Sequence, residues 1–147
     1  MKTKMIMIVA ATTLLTVCSA TAADKEARKE RANRVETKGD IEKRIQTLNR
    51  LDNNPASMRA GMAAVSKETA VPLPTIEAEH KEHPSVGLAG LFVAHELATR
   101  THKPVEQFLK AHASGKSWSQ IAAANGENLD VLEAKLTRIE SAVRDAK

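Results

Sequence analysis

Aromatic residues are nearly missing from this 147-residue chain: Phe92, Phe108 and Trp118 stand alone, with no tyrosine. A core built almost wholly from Leu, Ile, Val, Met and Ala favours packed helices over a β-sandwich. Cysteine occurs once, at Cys18, which excludes a disulfide-stapled miniprotein. No apolar run reaches the roughly 20 residues of a membrane-spanning helix, which excludes a transmembrane transporter. Neither sign of charge dominates. Lys plus Arg number 22 against 18 Asp plus Glu, a net charge of +4 that is too small to mark a polyanion binder. Hydrophobic residues still make up 42% of the chain, enough for a core and against disorder throughout. The length fits one domain and excludes a large multidomain enzyme.

What is there begins with a three-part leader. Lys2 and Lys4 form a positive start, Met5 to Val17 a largely apolar run of thirteen, and Cys18 to Ala23 a small-residue end. This is the order of a secretory signal. Ala20-Thr21-Ala22 and Thr21-Ala22-Ala23 both offer the small-x-small pattern of a cleavage site, so the cut is expected after Ala22 or Ala23. The expected localisation is therefore exported: periplasmic or secreted. Leu15-Thr16-Val17-Cys18 also resembles a lipoprotein signal, in which the cysteine is lipidated and ties the chain to a membrane. That pattern wants a small residue before the cysteine, where this chain has the β-branched Val17. Cleavage at Ala22 or Ala23 removes the only thiol, and with it cysteine nucleophiles and thiolate metal sites.

The remaining chain divides into residues 24–53, a charged arm with a short amphipathic helix, and 54–147, a helical domain. Asp24 to Arg34 carries Lys25, Glu26, Arg28, Lys29, Glu30, Arg31 and Arg34 with almost nothing to bury, and is expected as frayed helix or disordered tail. After Gly39, Asp40 can cap a helix with Ile41, Ile45 and Leu48 at i, i+4 and i+7. Asn54-Pro55 starts the next, with Met58, Met62 and Val65 on one face. No segment alternates as a strand does. The fold class expected is all-α: a small bundle of about five or six short helices between Asn54 and Val143.

A repeat runs through that domain. From the apolar origins Val65, Leu97 and Ile121, the positions seven on are Pro72, Pro104 and Asn128, each able to open a helix. Eight on stand Leu73, Val105 and Leu129, and eleven on stand Ile76, Phe108 and Leu132. Each copy reads as helix, tight turn, and a second helix whose apolar face looks back at the first. Val65 to Ile76 resembles the helix-turn-helix unit of DNA-binding proteins, and Gly126 stands where that turn carries its glycine. The resemblance implies a second helix placed in the major groove with polar or basic side chains. Here those helices carry Glu77, Glu79 and Glu82, then Glu106 and Lys110, then Asp130, Glu133 and Lys135. Acidic residues equal or outnumber basic ones in each copy, which argues against nucleic acid as a partner. The resemblance is therefore to architecture without the family's function.

The histidines cluster between His80 and His112. His80 and His83 stand at i, i+3 beside Glu79 and Glu82, and His112 occupies the place equivalent to His80 in the next repeat. These three are the candidate metal ligands or pH sensors. His95-Glu96 fails as a zinc-protease helix because Thr99 stands where the second histidine is needed. No Gly-x-Ser-x-Gly elbow is present, and Gly115-Lys116-Ser117 lacks the earlier glycine of a phosphate loop, Lys110 standing in its place. The expectation is a non-enzyme with no cofactor and no evident small-molecule substrate. Val86 to Phe92 is the most apolar segment past the leader, and Val86, Leu88, Leu91 and Phe92 are the candidates for contact with a protein partner. The sequence thus reads as a non-catalytic exported protein that acts by protein–protein interaction, with a histidine-based metal or pH sensor as the alternative.

Overall fold

The computed structural model describes residues 21–51 and 54–146. The expected leader through Ala20, Cys18 included, lies outside them, and the Ala22 and Ala23 cleavage candidates fall in the first turn of the first helix. Seven helices and no strand make up the described residues: α1 (Thr21–Leu51), α2 (Pro55–Thr69), α3 (Leu73–Glu82), α4 (Gly87–Thr101), α5 (Val105–Ala113), α6 (Trp118–Ala124) and α7 (Leu129–Asp145). The class is all-α, with slightly more helices than the five or six expected.

The starts of these helices follow local chemistry. Asn54 caps α2 by accepting from the Ala56 amide at 2.9 Å, with Pro55 supplying a preset φ at the first helical position. Ser117 opens α6 in a capping box with Gln120, whose side chain accepts from the Ser117 amide at 3.1 Å. Asn128 caps α7 through the Asp130 and Val131 amides. Pro72 and Pro104 precede α3 and α5. Ala70 and His102 close α2 and α4 in the left-handed conformation, at φ 58° and 55°.

α4 is the axis of the bundle. Every residue from Leu88 to Leu97 is buried, because α1, α2, α3, α5 and α6 all pack against it. α7 covers α1 and α2 with Leu132, Leu136, Ile139 and Val143, a stripe at 3-4 spacing. Trp118 is buried against the backbone of α4. A methyl at Gly90 would stand 2.9 Å from its indole Nε1 and 2.6 Å from Val86 Cγ1, so glycine is what lets the ring approach.

The N-terminal part departs from expectation. Of the two readings of Asp24 to Arg34, helix is the one found, and Asp40 does not begin a separate helix: α1 runs unbroken from Thr21 through Gly39 and Asp40 to Leu51. Lys, Arg, Glu and Ala are strong helix formers, and Glu26 and Lys29 stand at i, i+3. One interior glycine costs about 1 kcal/mol, too little to break a helix with good formers on both sides. The far end of α1 belongs to the bundle, since Ile41, Ile45 and Leu48 are buried in the same core as α4 and α7.

Candidate functional site

The second half of α1 does more than fill space. Asn49 Oδ1 accepts from the Ala89 amide at 3.2 Å, so α1 caps the first turn of α4. Glu42 Oε1 accepts from the Ser119 amide at 2.7 Å, so the same helix caps α6. Both helix starts expose amides that their own chains leave unbonded, and a carboxylate there also answers the helix dipole. Gly87, at φ +69°, lies against Asn49; a methyl there would stand 2.5 Å from its amide carbon. α1 is therefore a strap whose side chains complete two other helices.

Between the strap and α7 lies a polar cleft of about 420 Å³, lined by Asp40, Lys43, Arg44, Thr47, Glu133, Glu140 and Arg144. Arg44 bridges it, with Nη1 2.8 Å from Glu140 Oε2 and Nη2 3.0 Å from Glu133 Oε1. Burial opposes the charge on Arg44, but the bonds it donates to Glu133 and Glu140, with the charges of those carboxylates, outweigh it and hold its pKa above the usual arginine value. Glu140 also receives Arg144. The cations and anions of the cleft are thus largely spent on one another, and the arrangement fastens α1 to α7.

The candidates singled out in the sequence are placed elsewhere. Val86, Leu88, Leu91 and Phe92 are all buried in the protein's own core, so the expectation that they form a partner-contact surface is corrected. An apolar run announces burial, and here neighbouring helices supply it. His80 lies on α3 and His83 at its C-terminal cap, both half-buried, while His112 lies on α5. The structure does not gather them: no three His, Cys, Asp or Glu side chains among the described residues are grouped to hold a metal ion. His112 instead stacks on Trp118, with ring centroids 4.4 Å apart and planes 20° from parallel. Its Nδ1 donates to the Lys116 carbonyl at 2.9 Å, which fixes the proton on that nitrogen. His112 is a lid on the tryptophan.

Polar pairs that reach into the core are what sequence reasoning missed. His95, on the fully enclosed stretch of α4, bonds Glu79 of α3, and its neighbour Glu96 pairs with Lys135 of α7. Glu127, in the turn before α7, pairs with Arg100 near the end of α4, Oε2 to Nε at 3.0 Å. A signal for two of these was present. His95 and Glu96 interrupt a run that is apolar on every side, and polar groups in such a helix must find buried partners. Their sequence spacings to those partners, 16 and 39 residues, gave no way to name them.

No protein-family model, no curated protein and no solved structure matches this chain. No described helix is long and apolar enough to cross a membrane.

Proposed function

We propose that this chain is an exported, non-catalytic helical protein that acts by binding a protein partner, and that the first half of α1 is its contact surface. The observation that carries this reading is the contrast along α1. Its second half is locked into the core by Ile41, Ile45 and Leu48 and by the caps it gives to α4 and α6. Its first half continues as helix for about five further turns, with Lys25, Glu26, Arg28 and Lys29 exposed. A charged helix held rigidly at one end presents side chains at fixed spacing, which lowers the entropy lost on binding. The leader pattern supports export, and the burial of Val86 to Phe92 leaves the charged arm as the remaining contact candidate.

The test is site-specific photocrosslinking in the native host. A photoreactive residue at Arg28 or Lys29 is expected to give a discrete higher-mass adduct, and the same probe at the exposed Glu77 of α3 is not. Equal adduct patterns at both places, or none at either, would remove the arm as the contact surface. Intact mass of the recovered protein tests the export half: a chain starting at Ala23 or Asp24 supports it, and an uncleaved Met1 form in the cytosol overturns it.

A further inference from the structure

Glu127 is a buried carboxylate, its side chain 1% exposed. It sits in the turn between α6 and α7, where Gly126 at φ +72° reverses the chain and the Glu127 amide donates to the Ala122 carbonyl at 3.0 Å. Two bonds tie this turn to the last turn of α4 and the residues that follow it. Arg100 Nε meets Glu127 Oε2, and Lys103 Nζ donates to Asn125 Oδ1 at 2.9 Å. The second carboxylate oxygen, Oε1, is buried with no hydrogen-bond partner. From α4 the carboxylate faces Arg100 and Glu96, and from α7 it faces Lys135, whose ammonium is already bonded to Glu96. An enclosed carboxylate oxygen without a donor, beside a second carboxylate, is a site that a proton can improve.

We propose that Glu127 is a proton-operated clasp. Near neutrality its carboxylate holds Arg100 across the two turns; on mild acidification Oε1 takes up a proton from solvent within the intact fold, and the guanidinium is released. Arg100 is already half exposed, so release adds one unpaired positive charge to a turn that carries the exposed His102 and Lys103. The energetics agree with the geometry. Burial pushes the Glu127 carboxyl above the ordinary glutamate value. Arg100 pulls it down, Glu96 adds to the rise, and Lys135 and the Asn128 amide oppose it without cancelling it. Because the folded chain then binds this proton more tightly than the unfolded one, Glu127 makes the fold more stable as pH falls from its raised value toward about 4.3. Glu68 behaves in the opposite way. Its bond from Arg138 holds its pKa below the ordinary value against the effect of burial, so its contribution is full near neutrality and is lost as pH falls through that lowered value.

The experiment follows the Glu127 carboxyl carbon by NMR in the full mature chain, with melting curves of Glu127→Gln and Glu68→Gln across pH. The Glu127 carbon is expected to titrate above about 4.3, and Arg100→Gln is expected to move that midpoint further up. Glu127→Gln is expected to melt a few degrees above wild type at pH 7, with the gap shrinking as pH falls; Glu68→Gln should melt below wild type at pH 7 and close its gap on acidification. A Glu127 midpoint at or below the ordinary value, a midpoint indifferent to Arg100→Gln, or a Glu127→Gln gap that is flat with pH would each overturn the clasp. The NMR arm reads the wild-type fold, so a poorly folded variant does not rescue the idea. The proposal stands independently of any partner of α1.

Discussion

The two halves of α1 share one helix and almost nothing else. Residues 40–51 bury Ile41, Ile45 and Leu48, give up Glu42 and Asn49 as caps for α6 and α4, and send Arg44 to two carboxylates of α7. At the other end, Lys25, Glu26, Arg28 and Lys29 are exposed. Helical backbone therefore says little about what a segment does. What separates the halves is the fate of their described side chains, while good helix formers favour helix on both sides of Gly39.

The largest break in that comparison is a cavity in the buried half. Leu48→Ala is expected to lose about 3 kcal/mol of stability, while Arg28→Ala in the other half should stay within about 0.5 kcal/mol. Urea unfolding of both variants measures the difference, and equal losses would mean that the halves do not differ as described. A smaller break targets the caps. Glu42→Ala and Asn49→Ala each leave a helix amide of α6 or α4 without its acceptor and should cost about 1 kcal/mol apiece. Amide exchange at Ser119 and Ala89 should quicken in the respective variant and nowhere else on the opposite helix. The smallest expected effect sharpens the contrast from the other side. Removing residues 25–38 should shift stability by about 0.5 kcal/mol or less. A large loss of stability instead would make the arm a structural element.

Much of the helix pattern was legible because caps are local. Asn54-Pro55, Ser117 with Gln120, and Asn128 each place an acceptor within three residues of the amides it serves, so the sequence announces where α2, α6 and α7 begin. The stripe Leu132, Leu136, Ile139 and Val143 was legible for a similar reason, since helical period and burial coincide. The candidate contact residues were misread because apolarity does not say who covers it. Val86 to Phe92 looks the same whether its cover is a partner or five helices of its own chain. The spacing of the histidines did not say whether they gather: among the described residues no three possible ligands are grouped for a metal ion, and His112 lies on Trp118.

The pairs that matter most lay beyond any local rule. Asn49 caps a helix 40 residues later and Glu42 one 77 residues later, while Arg44 reaches Glu133 and Glu140 at separations of 89 and 96. By itself the sequence determined the all-α class, most helix starts and the composition of the core, because those follow from propensity, capping and periodicity within a few turns. Only the tertiary structure decided that α1 is continuous with the bundle, that it completes the ends of α4 and α6, and that Glu127 is sealed beside Arg100. The physical reason is that burial and ion pairing depend on distances in space, and the packing of five helices around α4, with α7 laid over α1 and α2, sets those distances.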